Sequence, residues 1–222
     1  MKREEVIGSI TDNKIIVILR GLTRDELMRT AEALYIGGIR LCEVTFSAVG
    51  SPSDAEIADD IRALVAAYSD KMHIGAGTVL SPAQVDLAAA AGAEYIISPD
   101  TDPDVIGRTR ELGLVSVPGA LSPSEATAAN RAGADFVKLF PAGEFPPSYL
   151  KSVVTPLSHI RFLAVGAITE NNIADYMRAG AVGAGISSGI VSKKAVAAGD
   201  YGYITSQARK YLAAVSAVMD AI

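Results

Sequence analysis

The stretch "ADFVKLFPAG" (134–143) sets one lysine, Lys138, at the centre of an apolar pentad that proline and glycine then close. A short β-branched and aromatic run bounded in this way reads as a buried strand. Lysine is rarely buried without a partner. An earlier run, "IRLCEVTF" (39–46), carries Glu43 in a similar setting. Side chains alternate along a strand, so Lys138 shares a face with Phe136 and Phe140, and Glu43 shares one with Leu41 and Thr45. If both faces point into one core, two readings open. One is a buried ion pair that fixes the interior, with little net stability because desolvation offsets the attraction. The other is a nucleophilic amine beside a proton-shuttling carboxylate, since burial lowers a lysine pKa toward neutrality and frees the amine to attack a carbonyl.

The elements that must position these groups alternate along the whole chain. Strand candidates are "IIVIL" (15–19), 39–46, "MHIGAGTV" (72–79), "YIISP" (95–99), "LVSVPG" (114–119), "DFVKLF" (135–140), "IRFLAVG" (160–166) and "AVGAGIS" (181–187). Helical segments separate them, with Ser81-Pro82 and Ser122-Pro123 as N-cap and first-turn pairs. Gly38, Gly92, Gly133 and Gly180 stop helices just before a strand. The strands are continuous apolar runs, as parallel strands covered on both sides require. The expectation is one (β/α)₈ TIM barrel with a short N-terminal helix, a single domain over 1–222. A doubly wound open sheet is the competitor, but no G-x-G-x-x-G follows the first strand. In a barrel the second and sixth strands stand opposite each other. Arg20 and Thr78 end the first and third strands, at the C-terminal face where such barrels keep their chemistry. The segment 192–204 reads as a connector, with Lys193 and Lys194 a solvated pair.

Composition narrows the classes. At 222 residues with net charge -5 and no basic run, the chain has no nucleic-acid face. No apolar stretch approaches the roughly 20 residues that cross a bilayer, and the start lacks a secretory core. The lone Cys42, with no possible internal disulfide, makes a cytoplasmic setting the expectation. It has the opposite parity to Glu43 and should pack on the outer helices. Two histidines and one cysteine argue against a zinc site, and no G-x-S-x-G elbow is present. His73 and His159 fall at the bottom of the barrel, in structural or solvated roles.

The ordered motifs "EVT", "GAGTV", "GADFVKLFPAG" and "VGAI" resemble the class I 2-keto-3-deoxy-6-phosphogluconate (KDPG) and 4-hydroxy-2-oxoglutarate (KHG) aldolase family, from "IIVILRG" to "GAGISSGIV". The resemblance implies a homotrimer of (β/α)₈ barrels in carbohydrate metabolism, a carbon–carbon lyase that needs neither metal nor cofactor and binds pyruvate as an imine. It implies Lys138 as the imine-forming lysine and Glu43 as the acid/base. Arg20, Thr45 and Thr78 fall at the keto-acid pocket, and Pro99 and Phe140 form its apolar walls. The phosphate end falls at Gly166-Ala167 and Ser187-Ser188. The expected reaction is cleavage of a 2-keto-3-deoxy-6-phospho sugar acid, or of 4-hydroxy-2-oxoglutarate, to pyruvate and an aldehyde. Two alternatives remain: a phosphosugar isomerase or epimerase using two facing carboxylates or a metal, and a catalytically altered barrel that only binds a keto acid. The chain also departs from the family. Ser47 stands where an arginine commonly meets the pyruvyl carboxylate, leaving Arg20, Thr78 and backbone amides for that role. Ala167 replaces a turn glycine, and an alanine there is expected to restrict φ. A modest preference for phosphorylated aldehydes follows.

Overall fold

The computed structural model describes residues 2–219, so the predicted last helix is seen to Met219 and residues 220–222 lie outside the described residues. Strands and helices alternate from the first strand onward. Helix α1 (Lys2–Asn13) precedes β1 (Ile15–Leu19), α2 (Arg24–Ile36), β2 (Leu41–Thr45), α3 (Asp54–Tyr68), β3 (His73–Gly77), α4 (Pro82–Ala90), β4 (Tyr95–Ile97) and α5 (Pro103–Glu111). Then come β5 (Val115–Val117), β6 (Gly119–Ala120), α6 (Pro123–Arg131), β7 (Val137–Leu139), α7 (Pro147–Val154), β8 (Phe162–Val165), α8 (Ile173–Arg178), β9 (Ala181–Ile186), α9 (Lys193–Ala197) and α10 (Tyr201–Met219).

Local chemistry sets these boundaries. Thr23, Ser53 and Ser122 close full capping boxes with Glu26, Glu56 and Glu125, while Ser81 and Asp102 cap α4 and α5 ahead of a proline. These caps face the C-terminal ends of the strands. At the opposite end the expected glycines take left-handed φ, from 94° at Gly92 to 109° at Gly180.

All strand pairs are parallel, in the order β5-β4-β3-β2-β1-β9-β8-β7-β6. The two ends of this sheet are adjacent in sequence, separated only by Pro118, which has no N–H to give. The predicted fifth strand is thus split into β5 and β6. Backbone N–H groups of Phe136, Lys138 and Phe140 donate to the carbonyls of Ser116, Pro118 and Ala120 at 3.2, 2.8 and 3.0 Å. That ladder closes an eight-stranded TIM barrel, as expected. Several strands are shorter than their apolar runs: the predicted 39–46 pairs over Leu41–Thr45 and the predicted 135–140 over Val137–Leu139. The 192–204 segment is no plain connector, since it holds α9 and the first turn of α10.

Two cores result. The larger lies between strands and helices and includes Cys42, Val44, Val137 and Leu139. The smaller fills the barrel: Ile16, Leu41, Tyr95, Val117, Phe136 and Leu163, floored by Val6, Ile7 and Ile10 of α1. Helix α1 therefore plugs the N-terminal end of the barrel. Buried Asp135 holds it there, accepting from Arg3 and from Arg110, and also from the Ser116 amide at 3.0 Å. At the same end His73 meets Glu94, Nδ1 to Oε2 at 2.6 Å. Phase along each strand is now fixed: Leu41, Glu43, Phe136 and Lys138 point inward, Cys42 outward.

Candidate active site

Lys138 sits at the middle of β7, paired with Gly119 on one side and Leu163 on the other, and is 7% exposed. Its Nζ lies 4.8 Å from the centroid of the Phe140 ring. Burial lowers its pKa; Glu43 opposes that shift, Arg20 adds to it and Asp100 opposes it. Glu43, opposite on β2, is 2% exposed, and burial raises its pKa to about 7 against the pull of Lys138 and Arg20. Both shifts run toward the uncharged form, with the Glu43 carboxyl poised near neutrality.

The two groups share a space without sharing a bond. Among the described residues, no ion pair within 4.0 Å involves Lys138 or Glu43. The Glu43 Oε2 atom is buried with no hydrogen-bond partner. A buried oxygen left open in this way is expensive for structure and useful for chemistry. The ion-pair reading of the sequence is therefore not what the barrel contains.

The strand between β2 and β4 makes room for this arrangement. A Cβ at Gly77 would stand 2.5 Å from Glu43 Oε1 and 2.7 Å from its Cδ, and one at Gly75 would collide with the Tyr95 ring. Tyr95 itself donates to the Cys42 carbonyl at 2.6 Å, bracing the backbone beside Glu43. The glycines of "GAGTV" are thus spaces for two specific neighbours. The sequence displays them only as a motif.

Arg20 follows β1 directly. Its Nε donates to Thr45 Oγ1 at 3.4 Å and its Nη2 to Thr78 Oγ1 at 3.1 Å. Thr78 holds that position with φ of 55°, a rare conformation for a β-branched residue. Strain of this kind gathers at functional sites. At the far side, Gly166 and Ala167 turn with φ of 94° and 52°. Ala167 thus takes the left-handed backbone despite its methyl group, against the restriction expected from the sequence. Its neighbours hold it there. Asn172 donates to the Ala167 carbonyl at 3.2 Å and accepts from the Thr169 amide at 2.8 Å, while the Gly143 amide donates to the Gly166 carbonyl at 2.8 Å.

One cavity of about 490 Å³ opens among Arg20, Glu43, Thr78, Pro99, Lys138, Phe140, Gly166, Ala167, Ser187 and Ser188, at the C-terminal ends of the strands. That volume suits a small organic ligand. Of the substrate-pocket and catalytic residues expected from the sequence, Thr45 alone is off this wall; it lies behind Arg20, lining a neighbouring cavity of about 260 Å³ together with Ser47, the residue at the expected arginine position. Ser47 turns its hydroxyl to the Ser51 carbonyl at 2.9 Å. The sequence reading missed Ile18, Val165, Ile168, Thr169, Gly185 and Gly189, which complete the wall. It also missed Tyr211, fully buried on α10, whose hydroxyl donates to the Ile168 carbonyl at 3.4 Å and packs against Gly189. No local pattern marks that tyrosine. Among the described residues, no group of three or more His, Cys, Asp or Glu side chains is placed to hold a metal ion, and no helix is long and apolar enough to cross a membrane.

Comparison with known proteins agrees with this geometry. The model of the "KDPG and KHG aldolase" family matches residues 6–207. The 2-dehydro-3-deoxy-6-phosphogalactonate aldolase of Escherichia coli (strain K12) is 39% identical over 175 residues, 78% of this chain and 82% of the relative. The 2-dehydro-3-deoxy-phosphogluconate aldolase of Treponema pallidum (strain Nichols) is 33% identical over 189 residues, 85% of this chain and 87% of the relative. Among solved structures, a KDPG aldolase from Legionella pneumophila, with pyruvate captured at low pH as a covalent carbinolamine, superposes with a TM-score of 0.80 at 25% identity, covering 91% of this chain and 96% of its own. A match of this extent and identity assigns the chain to the KDPG and KHG aldolase family, whose activity is that of a carbon–carbon lyase.

Proposed function

We propose that the chain is a Schiff-base aldolase that cleaves a 2-keto-3-deoxy-6-phospho sugar acid to pyruvate and a phosphorylated aldehyde. The observation that carries this reading is the pair Lys138 and Glu43, both buried, both facing the 490 Å³ cavity, and not bonded to each other. The Lys138 amine adds to the C2 ketone, and loss of water leaves a protonated imine. That imine accepts the electron pair of the C3–C4 bond while Glu43 takes the proton of the C4 hydroxyl. Aldehyde departs, Glu43 returns a proton to C3 of the enamine, and hydrolysis of the imine frees pyruvate and the amine. The carbinolamine captured in the Legionella pneumophila relative supports the first step.

Substrate orientation follows from the same cavity. Ser47 is engaged with Ser51, so the keto-acid carboxylate falls to Arg20 and Thr78, already joined by a hydrogen bond. Pro99 and Phe140 wall the imine, and the turns at Gly166-Ala167 and Ser187-Ser188 offer backbone N–H groups to the phosphate. The phosphogalactonate name of the Escherichia coli relative favours a phosphorylated six-carbon acid over 4-hydroxy-2-oxoglutarate. The epimerase alternative has no comparable support: of the side chains on the cavity wall, only Glu43 is acidic. A homotrimer, a cytoplasmic setting and a place in carbohydrate metabolism belong to the same proposal.

Borohydride reduction in the presence of pyruvate tests the mechanism. The expected result is one pyruvyl unit added, mapped by peptide mass to Lys138. An adduct on another lysine, or none, refutes it.

A further inference from the structure

Beside the catalytic cavity lies a recess of about 370 Å³ between the C-terminal ends of β1 and β9, lined by Ile18, Arg20, Ser187, Ser188, Lys193 and Lys194 among others. Ile18, Arg20, Ser187 and Ser188 also line the catalytic cavity, so the two spaces share a wall. Their charges differ. The catalytic cavity balances Lys138 and Arg20 with Glu43, whereas the recess carries three cationic side chains and no acidic one. In a chain of net charge -5 this is a local reversal of sign. Ser192 caps α9, accepting from the Ala195 amide at 3.4 Å, and so fixes the turn that carries both lysines. Among the described residues, neither lysine enters an ion pair within 4.0 Å. Both are exposed to solvent, as the sequence reading has them, and both line the recess.

We propose that Lys193 and Lys194 form a side-chain anchor for the terminal phosphate of the substrate, an inference that rests on the reading of a phosphorylated keto acid. Arg20 is committed to Thr45 and Thr78 at the carboxylate end, which leaves the two lysines as the free cations of the recess. A phosphate monoester carries about −1.5 to −2 charges at pH 7, and compact ammonium groups on flexible stems suit it as point charges. The turns at Gly166-Ala167 and Ser187-Ser188 bring backbone amides and hydroxyls but no charge. Lys193 and Lys194 supply the charge and set the preference for phosphorylated over unphosphorylated aldehydes.

The test is the ratio of kcat/KM for glyceraldehyde 3-phosphate to that for glyceraldehyde, each condensed with pyruvate, in the wild type and in Lys193→Ala/Lys194→Ala. A charged hydrogen bond is worth roughly one to two decades, so the ratio should fall about ten- to a hundredfold, mainly through KM for the phosphorylated aldehyde. Lys193→Arg/Lys194→Arg should keep most of it, and raising the salt should lower the wild-type ratio more than that of the alanine variant. A ratio in the alanine variant within threefold of the wild type overturns the assignment, as does a parallel loss with both aldehydes. Pyruvate trapping on the same samples separates two failures. Trapping absent from the wild type refutes the Lys138 mechanism and this proposal with it, while intact trapping with an unchanged ratio refutes the lysine anchor alone.

Discussion

Gly77→Ala isolates the proton-transfer step without touching a functional group. The added Cβ would stand 2.5 Å from Glu43 Oε1, and ordinary contact begins at 3.4 Å, so the carboxylate must withdraw by about 0.9 Å. Glu43 is 2% exposed and its carboxylate faces the 490 Å³ cavity, so the withdrawal carries it into the space that the substrate would occupy. Overpacking of this size costs about 1–3 kcal/mol of stability, which an eight-stranded barrel with a separate helix-facing core can tolerate. Misplacing a catalytic group by ~1 Å costs on the order of 10²-fold in rate. The expected result is therefore selective. Exchange of pyruvate methyl protons with deuterium, followed by NMR, should slow by about 10²-fold, while borohydride trapping at Lys138 stays close to wild type. In a Glu43→Gln background the same substitution should slow exchange no further. Gly75→Ala, which strikes the Tyr95 ring instead, should lower the melting temperature before it separates exchange from trapping. Exchange within threefold of wild type in a folded Gly77→Ala protein would show that the position of Glu43 does not govern proton transfer.

Three further outcomes follow from the same site. Glu43 must be ionised to take the C4 hydroxyl proton, so the cleavage rate should fall as pH drops through about 7, and Glu43→Gln should lose that inflection; an unchanged profile in the variant removes Glu43 from the step. Because the folded pKa is raised, the stability linked to protonated Glu43 is complete below the unfolded value of 4.5 and is lost as pH rises through about 7, so Glu43→Gln should be more stable than wild type at pH 8, by roughly 3 kcal/mol at most, and urea titrations at pH 5 and 8 read the difference. Thr78→Gly removes both a strained φ of 55° and the hydroxyl that holds Arg20, so the melting temperature should hold or rise while KM for pyruvate rises several-fold; a KM equal to wild type would mean that the Arg20–Thr78 contact does not position the keto acid.

Much of the scaffold was legible because its signals are local. Alanine-glycine helix ends, serine-proline caps and unbroken apolar strands each report a backbone preference; the glycine stops and serine caps stand at the expected residues, while the strands pair over shorter spans than their apolar runs. Parity along β2 and β7 placed Glu43 and Lys138 inside and Cys42 outside. The split at Pro118 escapes the sequence reading, which expects 114–119 as one strand; the missing N–H divides it, and closure of the ladder shows why the chain tolerates the break there. Helix α1 was visible as a helix and not as the plug of the barrel, because its three buried residues have meaning only against an interior that is built later in the chain.

The site resisted the sequence at the points where backbone and propensity disagree. Thr78 and Ala167 occupy left-handed conformations that their side chains disfavour, and nothing in a residue type announces that its neighbours will hold it there. At Ala167 the holding groups are Asn172 and Gly143, one in the following turn and the other behind β7, and neither reads as functional. At Thr78 the hydroxyl accepts from Arg20, more than fifty residues earlier. A threonine or an alanine in such a turn thus has two sources of stability to set against about 1–2 kcal/mol of backbone strain: the hydrogen bonds around it and, in the proposed reaction, the ligand that its turn receives. Removing the ligand leaves only the first. The same logic applies to Glu43, whose open Oε2 has no protein partner and which, in the proposed reaction, meets the substrate hydroxyl. The barrel therefore keeps an unpartnered buried oxygen and two of the non-glycine left-handed residues around one cavity, and a sequence-only reading built on favourable local choices cannot see them because each is an unfavourable one.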